Sequence, residues 1–144
     1  MVRAEFTIPG PPQGKGRPRF SSYGGRVHTR TPEQTVLYEN LVKTEYERQC
    51  PDREPFAKDV PLEIEITARF APPESVSKKK RTAMLEGIVR PTKVPDADNV
   101  AKIILDALHG VCYLNDSSVV KLVVTKVYDS TPRVDVTVRE AVGA

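Results

Sequence analysis

Alternation of apolar and polar side chains predicts three β-strands, at residues 2–8, 62–70 and 133–139. Each of them has one apolar side that can pack on a core and one polar side that can face water. A fourth predicted strand, residues 119–128, is apolar on both sides, which is typical of a strand in the middle of a sheet. The chain therefore contains four strands that can form one sheet.

Apolar residues at helical spacing predict an amphipathic helix from residue 32 to about residue 49. Thr31 is its expected N-cap, Pro32 suits the first helical position, and Gln34 completes a capping box. The side of this helix expected to face the core consists of Val36, Leu37, Leu41, Val42 and Tyr46.

A second, shorter helix is predicted from Ser77, its expected N-cap, to Glu86, with Gly87 ending it. Its first turn contains four consecutive cations, residues 78–81, where positive charge opposes the helix dipole. An anionic ligand and a solvated charge run both account for this arrangement.

A third helix is predicted over the stretch that Gly110 ends, with Asp98 or Asn99 as its N-cap. Its apolar side consists of Val100, Ile103, Ile104, Ala107 and Leu108. The predicted elements follow one another in the order β-α-β-α-α-β-β. This order indicates an α+β domain in which helices pack on a mixed β-sheet.

The chain has 144 residues, of which 39% are apolar and 28% charged, so we expect one globular domain over residues 1–144. No stretch approaches the apolar length of a membrane helix, and Arg3 and Glu5 interrupt the first apolar residues, so we expect no signal peptide. Cys50 and Cys112 form no zinc or redox motif, which favours a packing role in a reducing cytoplasm.

The first 30 residues carry six Lys or Arg residues and one acid, a local net charge of +5 in a chain whose total is +3. Such a patch indicates a polyanionic partner. The segment is not a Walker A loop, because the spacing from Gly10 to Gly14 is one residue short and Gly16 stands at the Ser/Thr position. We interpret it as a basic arm, the alternative being a disordered loop without a target. Its expected phosphate contacts are Lys15, Arg17, Arg19, Arg26 and Arg30.

Three acids surround the third predicted helix: Asp96 and Asp98 near its start, and Asp116 after the chain has turned back. Lys102 lies about one turn beyond Asp98, on the same side. Carboxylate oxygens suit a hard divalent cation such as Mg²⁺, although Asp-x-Asp before a helix is also a common cap. An EF-hand is excluded, because Ala101 occupies the position that requires Gly.

Residues 93–116 resemble the RusA family of Holliday-junction resolvases. The matching pattern is Lys-Pro-Asp-x-Asp-Asn-x-x-Lys, then an aliphatic helix with Asp-x-Leu, then a Tyr-x-Asp-Asp-like turn. It is formed here by Lys93, Pro95, Asp96, Asp98, Asn99, Lys102, Asp106, Leu108, Tyr113 and Asp116. The resemblance extends to the basic arm and to the strand after the turn. Two departures are the inserted Val94 and Asn115, which replaces the first acid of the final pair.

The resemblance implies a Mg²⁺-dependent endonuclease, with Mn²⁺ as a substitute ion, that resolves four-way DNA junctions by paired symmetric nicks in recombination and repair. It implies metal ligation by Asp96, Asp98 and Asp116, and a catalytic role for Lys102, which either stabilises the phosphate or orients the acids. It also implies a homodimer, and a cytoplasmic location at the nucleoid follows. We add Lys93 to the expected DNA contacts.

Two rival classes stay open at this point. A non-catalytic branched-DNA-binding protein that retains the basic arm is favoured only by Asn115. A metal-dependent transferase with an Asp-x-Asp motif would need a nucleotide pocket, and no phosphate-loop or dinucleotide motif is present. Asp106, one turn beyond Lys102, either forms a salt link with it or supports the metal ligands from outside.

Overall fold

The computed structural model of the chain describes residues 3–16, 19–30 and 32–141. The strands are β1 (Arg3–Pro9), β2 (Arg19–Tyr23), β3 (Arg26–Arg30), β4 (Leu62–Phe70), β5 (Val119–Tyr128) and β6 (Arg133–Glu140). The helices are α1 (Glu33–Gln49), α2 (Lys78–Leu85) and α3 (Ala97–Leu108), and a 3-10 helix, Asp116–Ser118, precedes β5. Among these described residues, no helix has the length and apolar character needed to cross a membrane.

The main sheet has the strand order β1-β6-β4-β5. Strands β4 and β5 run parallel, and the other neighbouring pairs are antiparallel. This arrangement confirms the predicted α+β class with a mixed sheet. The central strands show the predicted alternation, with one buried side formed by Leu62, Ile64, Ile66, Ala68 and Phe70 of β4 and by Val134, Val136 and Val138 of β6. The same core contains the apolar sides of α1 and α3.

The prediction that residues 119–128 lie in the middle of the sheet is wrong. Strand β6 inserts between β1 and β4, so β5 pairs with β4 alone and forms an edge of the sheet. Its side chains are accordingly open to solvent: Val120 is 63% exposed and Leu122 is 42% exposed. An apolar run does not distinguish a central strand from an edge strand, because the rest of the fold determines which strand pairs with each of its edges.

The opposite edge of the sheet, at β1, is covered by the end of α1. The side-chain amide of Gln49 accepts a hydrogen bond from the Thr7 amide at 2.8 Å and donates one to the Thr7 carbonyl at 2.7 Å, as a neighbouring strand would. The Arg53 guanidinium donates to the Arg3 carbonyl, and the Cys50 thiol is directed at the next exposed carbonyl of β1. Backbone groups of β1 are therefore satisfied, whereas β5 presents the open edge.

The polar face of the sheet is held together by ion pairs. The Arg139 guanidinium lies 3.0 Å from the Glu63 carboxylate and 2.8 Å from that of Glu65, and Arg69 lies 2.7 Å from Asp135. The bond from Arg139 lowers the pKa of Glu65. Glu63 and Glu65 thus lie on the polar side that the alternation of residues 62–70 predicts, and both are paired with Arg139.

Helix α1 spans the predicted residues but buries a different side. Val42 and Tyr46 are buried as predicted, whereas Val36 is 42% and Leu37 is 60% exposed. The buried stripe consists of Thr35, Tyr38, Val42 and Tyr46. The shift accompanies a contact with the basic arm: the Thr35 hydroxyl is buried and accepts a hydrogen bond from the Gly16 amide at 3.0 Å.

The predicted start of α2 is confirmed, whereas the start of α1 differs from the prediction. Ser77 caps α2 as predicted, with its side chain accepting a hydrogen bond from the Lys80 amide at 3.2 Å. Pro32 is the N-cap of α1 and not its first helical residue, and the expected cap Thr31 lies outside the described residues.

The basic arm contains a β-hairpin that the predicted element order omits. Strands β2 and β3 pair antiparallel, with Tyr23 opposite Arg26. Gly24 and Gly25 form the turn with φ angles of 60° and 75°, the positive values that a two-residue hairpin turn requires at both positions.

Candidate active site

Helix α3 begins two residues earlier than the sequence suggested. Its N-cap is Asp96, not Asp98 or Asn99, and the Asp96 carbonyl accepts a hydrogen bond from the Val100 amide at 3.0 Å. Asp98 therefore lies inside the first helical turn. Both exposed acids stand at the positive end of the helix dipole.

Helix α3 has two chemically different sides. The side facing the sheet is fully apolar and buried and consists of Val100, Ala101, Ile103, Ile104, Ala107 and Leu108. The opposite side carries Asp98, Lys102 and Asp106 at four-residue intervals, so that they form one stripe along the helix. The apolar contacts of α3 thereby fix the direction in which this charged stripe points.

The third predicted acid, Asp116, is brought to α3 by the loop that follows the helix. The Tyr113 hydroxyl in this loop donates a hydrogen bond of 2.6 Å to the Leu105 carbonyl, and the Gly110 amide donates one of 2.7 Å to the Tyr113 carbonyl. Asn115 then caps the 3-10 helix, its side chain accepting from the Ser117 amide at 2.9 Å. Asn115, at the position where the resemblance leads one to expect an acid, thus has a structural task, which an Asp carboxylate could also perform.

Burial keeps Tyr113 neutral. Removal from solvent raises the pKa of its hydroxyl, and the neighbouring Cys112 and the carboxylates of Asp116 and Asp106 raise it further. The hydroxyl therefore remains a hydrogen-bond donor at any physiological pH. Its bond to Leu105 ties the loop to α3 without adding a charge beside the acids.

The charged stripe and Asp116 meet at one open pocket of about 230 Å³. The pocket is lined by Asp98, Ala101, Lys102, Leu105, Asp106, Asp116 and Leu122. Of the four predicted catalytic residues, the structure thus brings Asp98, Lys102 and Asp116 together. Asp96 stands just outside, at the helix cap, and does not line the pocket.

The donor set of this pocket fits a hard divalent cation. Asp98 and Asp116 offer only oxygen ligands, and neither histidine nor cysteine lines the pocket. Over the described part of the chain, no three acidic, histidine or cysteine side chains are drawn together into a closed cluster. Two exposed acids with open solvent between them are suited to an ion that retains several of its waters, as Mg²⁺ does.

The root of the basic arm passes directly beside this site. The Lys15 amide donates a 3.1 Å hydrogen bond to the Asn99 carbonyl in the first turn of α3. The Lys15 ammonium is directed inward, 2.9 Å from the Glu39 carboxylate and 3.0 Å from that of Asp106. Lys15 is therefore engaged in two ion pairs, although the sequence suggested a phosphate contact.

The other expected DNA contacts lie in more open positions where the structure describes them. Arg26 is exposed at the hairpin turn. Lys93 is exposed, with its ammonium 5.8 Å from the centre of the Phe70 ring. Arg17 lies outside the described residues, as do the side chains of Arg19 and Arg30, whose backbones belong to the hairpin.

Two parts of the site could not be predicted from the sequence. Nothing in the pattern of α1 links Glu39 to α3. Leu122 forms an apolar wall of the pocket, but its strand was predicted to be buried. The salt link between Lys102 and Asp106, at 3.8 Å, was visible from their spacing and is present.

The chain belongs to the RusA family of endodeoxyribonucleases. The sequence model of that family, described as endodeoxyribonuclease RusA, matches residues 9–139. The chain is also similar to YqaN, an uncharacterized protein of Bacillus subtilis (strain 168), with 37% identity over 138 residues, which are 94% of this chain and 95% of the relative. These matches confirm the resemblance drawn from residues 93–116 and extend it from the pocket to the arm and the sheet.

We predict that Gly14→Ala will disturb the start of α3. A Cβ atom on Gly14 would stand 2.9 Å from the Pro95 Cβ and 3.1 Å from the Asn99 Cβ, atoms that no side-chain rotation can move away. The free energy of unfolding should fall by about 1–3 kcal/mol, as measured by urea denaturation. Gln13→Ala, at an exposed neighbour, should change it by less than about 0.5 kcal/mol. Equal stability of the two variants would contradict this close packing.

Proposed function

We propose that the protein is a metal-dependent endonuclease that resolves four-way DNA junctions in recombination and repair, acting in the cytoplasm at the nucleoid. The observation that carries this proposal is the single pocket lined by Asp98, Lys102 and Asp116 in a chain of the RusA endodeoxyribonuclease family. Junctions are the substrate that the family name of resolvase implies, and the basic arm beside the pocket suits a polyanion.

In this proposal Asp98 and Asp116 hold Mg²⁺, with Mn²⁺ as a substitute, and Asp96 joins them from the helix cap. An ion held there would supply the chemistry of an activated water and of charge neutralisation at the leaving oxygen. Carboxylates alone would repel the phosphates of DNA, so acids at the floor of a DNA-binding surface are consistent with a cation between them and the substrate. A protein that merely binds junctions has no use for such a pocket.

Lys102 is well placed to stabilise the charge that develops on the cleaved phosphate. Its side chain is 63% exposed, and its pair with Asp106 is loose at 3.8 Å. An ammonium that is not committed to a close partner can turn towards a phosphate oxygen at little cost. Of its two possible roles, this exposure favours contact with the substrate over a permanent pairing with the acids.

The expected consequence is that Asp96→Asn, Asp98→Asn and Asp116→Asn each reduce cleavage by orders of magnitude while junction binding is retained. Asn preserves the shape of the side chain but removes the charge that a hard cation needs. Cleavage of a labelled synthetic four-way junction, with and without Mg²⁺, and a gel-shift assay in Ca²⁺ measure the two properties.

Asn115→Ala is the matched control, because Asn115 caps the 3-10 helix and does not line the pocket. It should affect cleavage much less than Asp116→Asn does. Full activity in one of the three Asp variants would remove that residue from the site, and loss of activity in the Asn115 variant equal to that of Asp116→Asn would place the amide within it.

DNA binding is proposed to rest on the arm and its hairpin. The hairpin follows directly from the arm root at Gly16, which is bonded to the first turn of α1. The residue before Gly16, Lys15, is bonded to the first turn of α3. The cations proposed to contact phosphates are Arg17, Arg19, Arg26 and Arg30, with Lys93 on the segment that leads into Asp96.

Replacement of Arg17, Arg19 and Arg26 by Ala should weaken junction binding and reduce its salt dependence by about one unit of slope for each phosphate interaction removed. Arg48→Ala is the control, since Arg48 lies in the last turn of α1, about 20 Å from the arm root by helix length. The two salt slopes are measured by fluorescence anisotropy. A triple variant with the wild-type slope would show that the arm does not contact DNA.

The protein is proposed to act as a homodimer, because a four-way junction offers two symmetric scissile phosphates and one pocket reaches only one of them. Closed two-fold dimers are the commonest oligomers. The described chain has apolar surface available for such an interface, both on α1, at Leu37, and along the open edge of β5, at Val120 and Leu122. Strand β6 is enclosed between β1 and β4, so its edges cannot contribute.

Mixing wild-type chains with an excess of Asp98→Asn chains should produce heterodimers that nick only one strand of a junction. Each active pocket would cut its own phosphate and leave the symmetric one intact. Light scattering gives the mass of the particle, and denaturing gels of doubly labelled junctions count the nicks. A monomer that makes both cuts, or a mixture that resolves junctions in proportion to its wild-type content without singly nicked product, would contradict the dimer.

A further inference from the structure

Lys15 has an environment unlike that of a DNA-contacting lysine. Its side chain is 22% exposed, and its ammonium bridges two helices, with Glu39 of α1 at 2.9 Å and Asp106 of α3 at 3.0 Å. Burial lowers the pKa of Lys15, but the hydrogen bonds and charges of Glu39 and Asp106 outweigh that effect and raise it overall. The ammonium is therefore charged throughout the neutral range and already has two carboxylate partners.

The backbone at this point is as constrained as the side chain. The Lys15 amide is bonded to the Asn99 carbonyl, and the next amide, that of Gly16, to the Thr35 hydroxyl. A Cβ on Gly16 would stand 2.7 Å from that hydroxyl, so the chain lies close against α1. For Lys15 to reach a phosphate it would have to give up both ion pairs while its backbone stayed fixed.

One oxygen of Asp106 is shared by two lysines. Its Oδ2 atom lies 3.0 Å from the Lys15 ammonium and 3.8 Å from that of Lys102. Coulomb attraction to a carboxylate that already has a closer, less exposed cation is weaker than attraction to one without a partner. Lys102 is correspondingly 63% exposed and holds Asp106 only loosely.

We propose that Lys15 is a positioning residue, which neutralises Asp106 and so leaves the ammonium of Lys102 available to the pocket that contains Asp98 and Asp116. The inference rests on the proposed function, since that pocket is the one assigned to DNA cleavage. In the absence of Lys15, Asp106 would draw Lys102 into a close pair one helical turn away from the acids. The arm root would thus act on cleavage and not on DNA affinity.

Three variants isolate the charge of Asp106. Glu39→Gln is the control, because it removes the second partner of Lys15 but leaves the pair with Asp106 intact. The double variant Glu39→Gln, Lys15→Met leaves Asp106 without its close cation. It leaves no unpaired carboxylate at position 39, because Gln is neutral. Addition of Asp106→Asn to that double variant removes the charge that would capture Lys102. Circular dichroism establishes that each chain is folded.

Cleavage and binding of a synthetic junction are measured on all three. The control should cleave like the wild type. The double variant should lose about 10- to 100-fold in kcat, somewhat less than the loss of a whole charged contact to the transition state. Its junction affinity should stay within about twofold and its salt slope should be unchanged, because the phosphate contacts proposed for the hairpin and for Lys93 are retained and Lys102 is proposed to act on charge that develops only during cleavage. The triple variant should recover most of kcat.

A second measurement is independent of cleavage. An amine-reactive ester at limiting concentration and one fixed pH labels Lys102 at a rate read from its peptide by mass spectrometry. Labelling should be about threefold slower in the double variant than in the control, the size expected of one additional exposed ion pair, and should recover in the triple variant. If the wild-type protein cleaves no junction, the proposed function is wrong. The labelling rates of Lys102 would still show whether Lys15 keeps Asp106 from pairing closely with Lys102.

Three results would overturn the inference. A double variant whose junction affinity and salt slope both fall would make Lys15 a DNA contact. A triple variant that recovers neither kcat nor the labelling rate of Lys102 would leave Lys15 a purely structural role. If the double variant does not fold, Lys15→Gln with Glu39 intact takes its place: wild-type kcat together with an unchanged labelling rate of Lys102 in that variant would overturn the inference.

Discussion

The packing of α3 on the sheet is the interaction on which the site depends. Four large apolar residues of α3 are fully buried: Val100, Ile103, Ile104 and Leu108. At about 1.5–3 kcal/mol for each such side chain, their burial contributes on the order of 6–12 kcal/mol. Repulsion between two solvated carboxylates a few ångströms apart amounts to about 1 kcal/mol in water and a few times that near a protein surface. The apolar contacts are therefore strong enough to keep α3 in place on the sheet even where its acids lie near another carboxylate of the pocket.

The charged groups near the pocket differ in how closely they are paired. The Lys15 ammonium lies 3.0 Å from the Asp106 carboxylate, whereas Lys102 lies 3.8 Å from it and is 63% exposed. Surface ion pairs contribute little to stability, about 0–1 kcal/mol each. In the proposed function, the pair of Lys15 with Asp106 would therefore matter less for stability than for leaving the ammonium of Lys102 available to the substrate.

Features that depend on local chemistry could be predicted from the sequence, and features that depend on distant partners could not. The buried side of α3, the alternation of β4 and the cap at Ser77 arise within a few residues, and all three are present. The edge position of β5 depends on β6, which follows it in the chain, and the turned face of α1 depends on Gly16, which precedes it. The acids of the pocket were recognisable by their pattern in the family, whereas the partners of Lys15 come from two separate helices and leave no local signal.

In the proposed function, the arm root would connect the surface that holds DNA with the pocket that cuts it. The segment from Gly14 to Gly16 is bonded to α1 on one side and to the first turn of α3 on the other, and at Gly14 it leaves no space for a side chain. This close packing fixes the root against the backbone that carries Asp96 and Asp98. A flexible tether would provide charge near the pocket but no fixed point, because its ends move independently. A cation carried shortly beyond a fixed root would therefore meet phosphates over a narrower range of distances from the pocket than one carried on a flexible tether.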